Sequence, residues 1–181
     1  MYLYHMYYRG DGSLRDDTLY TLNQLKEKHP DLHALHVQKY ETRPEVPKQH
    51  FPHIDCDWGG AVFLCPVHPE KICAALAQYR KREVPPFPYH EIPVADLDPS
   101  NLALWLFKTR EYTPIEVIPF EQRLLEEMRE VPEATKGYFD EQRQKHEPAL
   151  FFVHVPHVLH KGSIDMSRYN VQYTREYKTG K

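Results

Sequence analysis

The chain has 181 residues, of which 41% are hydrophobic and 27% charged, and its formal net charge is -3. This composition matches globular proteins and excludes wholesale disorder. No apolar run approaches the roughly 18 residues that cross a bilayer, which excludes an integral membrane helix. The negative charge disfavours a dedicated nucleic-acid binder. Proline, tyrosine and histidine are abundant and glycine is scarce, a bias that favours an interaction protein over an enzyme.

The first third of the chain predicts alternating strands and helices. The predicted elements are a strand at 2–8, a helix at 18–28 and a second strand at 32–40. Asp16 or Asp17 is a suitable N-cap for the helix. Pro30 ends the helix because the residue before a proline is pushed out of the α region.

A glycine pair, Gly59-Gly60, predicts a hairpin turn because both residues tolerate positive φ. The arms of this hairpin are predicted at 53–58 and 61–67. Pro69 is placed where a helix begins, and the apolar spacing continues to about residue 81. The predicted order over residues 1–82 is therefore β-α-β-β-β-α, an α/β domain.

The sequence changes character after Glu83. Four prolines between 85 and 93 argue against a helix or a central strand there. Short helices are predicted at 100–107, 120–129 and 133–145, and an extended segment at 149–159. Because this half shows little apolar periodicity, we predict a proline- and tyrosine-rich arm over 83–181 that packs on another surface. The helix at 120–129 either faces a partner or packs on its own domain.

Several segments of the first 82 residues occur in an order known from one family. They are the turn Leu25-Lys-Glu-Lys-His-Pro-Asp-Leu32, the segment Ala34 to Lys39, the Gly59-Gly60 pair and the helix Glu70 to Ala77. In this series the chain resembles the thioredoxin-like domain shared by a small accessory subunit of mitochondrial respiratory complex I and several mitochondrial ribosomal proteins. Residues 83–181 show no such resemblance.

The resemblance implies a docking module without redox activity. Redox-active thioredoxins open their first helix with Cys-x-x-Cys, whereas the corresponding loop here, Arg9 to Arg15, contains no cysteine. The implied function is that of a non-catalytic accessory subunit, on the matrix side of the mitochondrion, bound to other protein subunits and without a cofactor. The negative charge favours complex I, and the long extension favours the alternative, a mitochondrial ribosomal protein, which would contact nucleic acid.

Cysteine and histidine residues provide the weak candidates for a metal site: Cys56, Cys65, His68 and Cys73. Only Cys65 and His68 have the close spacing of zinc ligands, and the alternative is that the thiols are small buried hydrophobes. His154, His157 and His160 recur at intervals of three, but residues three apart in an extended chain point to opposite faces. A small Cys/His or metal-dependent hydrolase is the remaining alternative from a different functional class.

Overall fold

The computed structural model describes residues 1–6, 14–80, 83–108 and 116–178. The helices of this part of the chain are α1 (Leu22–Lys28), α2 (Pro30–Val37), α3 (Pro69–Arg80), α4 (Gln122–Glu127) and α5 (Glu133–Gln144). The strands are β1 (Tyr2–Met6), β2 (Leu14–Arg15), β3 (Thr18–Leu19), β4 (His50–Phe51), β5 (Cys56–Asp57), β6 (Ala61–Leu64), β7 (Pro88–Pro93), β8 (Leu102–Trp105), β9 (Val117–Pro119), β10 (His157–Lys161), β11 (Ile164–Asp165) and β12 (Val171–Tyr173). The end of the first predicted strand and most of the loop at 9–15 lie outside the described residues.

Small antiparallel sheets, combined with the helices, give a mixed α and β fold. The central sheet has the strand order β6-β10-β8-β9, and a second sheet has the order β1-β7-β12. Two smaller sheets have the orders β11-β3-β2 and β4-β5. A bridge between Tyr4 and Cys65 connects β1 to the end of β6, and backbone hydrogen bonds of 2.8 Å run in both directions across it.

The central sheet has two different faces because side chains alternate along each strand. Val62, Leu64, Leu104 and Val158 point into one apolar cluster, which also contains Leu3, Ile92 and Leu125. Ala61, Ala103, Trp105 and Leu159 belong to another cluster, built around Trp58 and Phe51. One face of the sheet is therefore closed by ordinary core packing, and the other face is covered by aromatic residues.

The prediction that residues 83–181 form a separate arm is wrong, because strands of the two halves of the chain pair with one another. All five residues of β1 pair with β7, from Tyr2 opposite Pro93 to Met6 opposite Tyr89. All four residues of β6 pair with β10. The boundary at residue 82 thus passes between strands that share backbone hydrogen bonds, and the later half supplies the centre of the main sheet.

The predicted order of elements also fails near the start of the chain. Asp16 and Asp17 adopt positive φ of 51° and 54° and form the two-residue turn between β2 and β3, so they do not cap a helix. The cap of α1 is Thr21, whose side chain accepts from the backbone N–H of Gln24. The segment predicted as a strand at 32–40 is helical, because Pro30 starts α2 as well as ending α1.

The glycine pair does not form a hairpin. Gly59 and Gly60 lie in a short 3-10 turn that leads into β6, and β5 pairs with β4 instead. A Cβ on Gly59 would lie 2.5 Å from Oδ1 of Asn23, so this glycine permits close packing of the turn on α1.

The helix predictions for the rest of the chain are partly confirmed. Those at 69–81, 120–129 and 133–145 correspond to α3, α4 and α5, with Leu125 of α4 buried in the chain's own core. The helix predicted at 100–107 is wrong, because Leu102–Trp105 is the fully buried strand β8. Its neighbours β9 and β10 lie on either side of it.

Candidate binding cavity

A cavity of about 640 Å³ lies on the aromatic face of the central sheet. Its size is within the roughly 300–1,000 Å³ typical of small-molecule sites. Its walls come from β6, β8 and β10, from α1 and α2, from the end of β1 and from the segment 150–153. The sheet provides the floor, and elements distant in the chain form the sides of a cavity that is partly open to solvent.

Aromatic side chains dominate the lining of this cavity. Eight of the described lining residues are aromatic: Tyr20, Tyr40, Trp58, Phe63, Trp105, Phe107, Phe151 and Phe152. Trp58 is the centre of the group, with its ring 4.5 Å from that of Phe63 and 5.2 Å from that of Trp105. The indole N–H of Trp58 donates to the hydroxyl of Tyr40 at 2.9 Å, which holds both rings in place.

Backbone strain occurs at the edge of the cavity. Phe107, two residues after the end of β8, has φ of 46°, a value that a bulky residue rarely adopts. Its ring stacks on Trp105 with centroids 4.3 Å apart and planes at 19°. His154 also has positive φ, 62°, and its ring lies 5.8 Å from that of Phe107. Such conformations cost about 1–3 kcal/mol and persist where the surrounding packing enforces them, which is frequent at functional sites.

Two histidines of the lining are kept uncharged by their surroundings. Burial lowers the pKa of His5 to about 4, even though the carbonyl of Phe63 accepts a hydrogen bond from its ring. Burial also lowers the pKa of His157 to about 4, opposed by a hydrogen bond to the carbonyl of Val155. Both rings are therefore neutral near pH 7 and serve as polar but uncharged groups.

The chemistry available in the cavity is limited by its residue types. Lys39 is the one lining residue with a permanent charge in the part of the chain that the structure describes, and it is exposed. The same set contains no serine, threonine, cysteine or acidic residue. The lining is suited to contact with rings and apolar groups, not to nucleophilic attack.

The structure places Cys65 and Cys73 in one buried apolar cluster and Cys56 beside another, so the four candidate metal ligands are not gathered into one site. Cys56 is half-buried on β5, and Cys73 is buried on α3. Buried Cys65 donates its thiol to the carbonyl of Val67 at 3.3 Å. His68 caps α3, since its Nδ1 accepts from the backbone N–H of Glu70 at 3.1 Å. Within the described residues, no three His, Cys, Asp or Glu side chains are grouped so that they could hold a metal ion.

The three cysteines also have low reactivity as nucleophiles. Burial raises the pKa of Cys65 to about 12 and that of Cys73 to about 11, and it raises the pKa of Cys56 as well. A thiol in this state is almost entirely protonated near pH 7. The late histidines are not assembled into one site either: His154 lies in a turn, and His157 and His160 are three residues apart on β10, so that they point to opposite faces of the sheet.

Sequence reasoning does not find the residues that form the cavity. It predicts a helix for Trp105 and Phe107 and a hairpin arm for Trp58. The signal that could have found Trp105 is the continuous apolar run Leu102–Trp105, which marks a buried strand once it is paired. No single segment indicates that their rings share a space.

Comparison of the chain with protein-family models, curated proteins and solved structures finds no match. Over the described residues, no helix has the length and apolar character needed to span a membrane. The cavity itself is therefore the main guide to function.

Proposed function

We propose that this chain is a non-catalytic protein that binds a small, largely apolar molecule with one or more rings. The observation that carries the proposal is the cavity of about 640 Å³ with eight aromatic side chains in its described lining. Flat rings stack well on such walls, and each aromatic contact contributes about 0.5–1.5 kcal/mol beyond area burial.

The residue types of the lining favour binding over catalysis. Acyl transfer needs an activated hydroxyl or thiol, and glycoside hydrolysis needs a pair of carboxylates. Neither is present among the described lining residues. The hydrolase alternative that uses Cys65 and His68 is disfavoured too, because Cys65 is buried with a strongly raised pKa and His68 is occupied as a helix cap.

Charge narrows the class of ligand. Lys39 gives the described lining a single positive charge, and the histidines with lowered pKa add none near pH 7. A neutral molecule or one with a single acidic group fits this environment. A cationic ligand fits less well, because Lys39 repels it and the described lining offers no carboxylate, which leaves only the faces of the aromatic rings to attract it.

Fluorescence titration with anilinonaphthalene sulfonate, a ring compound with one negative charge, tests the proposal. We expect saturable binding at one site in the native protein, with near-UV circular dichroism used to verify that the chain is folded. Phe63→Leu removes a lining ring and should weaken binding by about 3–10-fold. Phe120→Leu is the matched control, because Phe120 packs against the opposite face of the sheet and should leave affinity unchanged. A folded protein that does not bind the probe contradicts the proposal.

A second candidate function is the non-catalytic subunit of a mitochondrial assembly, with complex I or the mitochondrial ribosome as the particle. Two leucines that line the cavity, Leu35 and Leu150, are 47% and 61% exposed, and a neighbouring protein subunit would cover them. The thioredoxin-like arrangement plays no part in this support, since the segment at 32–40 is helical. Gradient sedimentation of a tagged chain in mitochondrial extract tests it: we expect comigration with a large particle, and loss of comigration in Leu35→Ser/Leu150→Ser. Sedimentation as a free monomer contradicts this candidate.

A further inference from the structure

The ring of His157 provides a polar group in the cavity lining. The ring of His157 is only 8% exposed, and its Nδ1 lies 2.9 Å from the carbonyl oxygen of Val155. A carbonyl oxygen can only accept a hydrogen bond, so Nδ1 carries the proton. Burial lowers the pKa of this ring and keeps it neutral near pH 7, and Nε2 is therefore an unprotonated acceptor.

The hydrogen bond of this ring to the described residues is made by Nδ1, which leaves Nε2 without a donor from them. The ring is surrounded by aromatic lining residues, with Trp105 stacked at 5.4 Å and Phe152 at 5.6 Å between centroids. A phenylalanine ring has no donor to offer, and the indole N–H of nearby Trp58 is already bound to Tyr40. Because Nε2 is not among the fully buried polar atoms, it remains accessible to water in the empty cavity. A ligand that fills the cavity and offers no donor leaves this acceptor unsatisfied, whereas a ligand that supplies a donor avoids the cost.

We infer that the ligand of the cavity presents an O–H or N–H donor to Nε2 of His157, which defines it as a phenol, an indole or a related ring compound with one donor. This inference rests on the proposed function, ligand binding in the cavity, and adds the group that selects among apolar rings. The ring system packs against Phe63, Trp58 and Trp105, and His157 fixes its orientation. A site built to satisfy a hydroxyl group discriminates against an analogue that lacks one, because the buried acceptor is then unpaired.

Isothermal titration of the full chain with naphthol and methylnaphthalene tests the inference. These probes have almost the same shape, but only naphthol has a donor. We expect naphthol to bind about 3–10-fold more tightly, the value of one net hydrogen bond. The ratio of the two dissociation constants should fall to about one in His157→Phe, which keeps a ring at this position and removes the acceptor. His160→Phe is the control, because His160 lies on the same strand and points to the other face.

The outcomes separate this inference from the proposed function. Binding of neither probe to a folded chain overturns both. Equal binding of the two probes to the unmodified chain leaves the proposed function standing and overturns the role of His157. That role is also overturned if His157→Phe prefers naphthol to the same extent, because the donor is then recognised elsewhere. A comparison of probes on the unmodified chain needs no variant, so it decides the question even if His157→Phe does not fold.

Discussion

Two neighbouring residues of β6, Phe63 and Leu64, provide a direct test of the two-faced sheet. Leu64 is fully buried and packs in the cluster of Leu3, Leu104 and Val158. Phe63 is half-buried on the opposite face, next to Trp58 and open to the cavity. Truncation of each to alanine should therefore have opposite consequences for stability and for binding.

Leu64→Ala leaves a closed void, and such replacements cost about 3–5 kcal/mol. That is a large share of the roughly 5–15 kcal/mol that holds a domain together. Phe63→Ala enlarges a space that already exists, so its cost is limited mainly to the lost ring contacts, about 1–2 kcal/mol. Probe binding should show the reverse order, with Phe63→Ala impaired and Leu64→Ala unaffected wherever it is folded.

Urea denaturation followed by circular dichroism and tryptophan fluorescence measures the first effect. With a slope of about 2 kcal/mol per molar urea, we expect the midpoint to fall by about 2 M in Leu64→Ala and by less than about 1 M in Phe63→Ala. Equal shifts in the two variants, or equal losses of anilinonaphthalene sulfonate binding in the folded state, would refute the assignment of the two faces.

Other consequences of the structure can be checked in solution. A fragment of residues 1–82 should not fold by itself, because β1 and β6 lose β7 and β10; cooperative unfolding of this fragment by circular dichroism would contradict the pairing. The free energy of unfolding should decrease as the pH is lowered from about 6.5 to about 4. In this range His5 and His157 are protonated in the unfolded chain, where their pKa is about 6.5, but not in the folded chain, where burial lowers it to about 4. The decrease should be roughly 3 kcal/mol per histidine and smaller in His157→Phe, measured by urea titration; a midpoint independent of pH excludes this explanation. Iodoacetamide should label the half-buried Cys56 slowly in native protein and all three thiols after denaturation. Rapid labelling of every thiol in native protein would contradict the burial of Cys65 and Cys73.

Local signals in the sequence predict those helices whose apolar face is regular. Pro69 begins α3, and the apolar residues that follow at helical spacing pack into one core cluster. The same reasoning fails at Leu102–Trp105, where leucine and alanine favour a helix locally. Pairing with β9 and β10 buries this segment completely, and tertiary packing outweighs its propensity.

The cavity could not have been predicted from any one segment. Trp58, Trp105 and His157 are distant in the chain and come together only through the strand order β6-β10-β8-β9. Pro30 presents a similar difficulty within one segment, because the same residue ends α1 and begins α2. The sequence alone does not show whether a strand or a second helix follows the proline.

The position of β10 in the central sheet has a consequence for folding during synthesis. This strand lies between β6 and β8 but consists of residues 157–161, so the ribosome produces the middle of the sheet after both of its neighbours. Until then β6, the apolar run Ala-Val-Phe-Leu, has no partner in this sheet, and β8 has only β9. Unpaired apolar edges are sites of aggregation, and contacts between distant residues form slowly. The nascent chain therefore exposes aggregation-prone strand edges until β10 has been made.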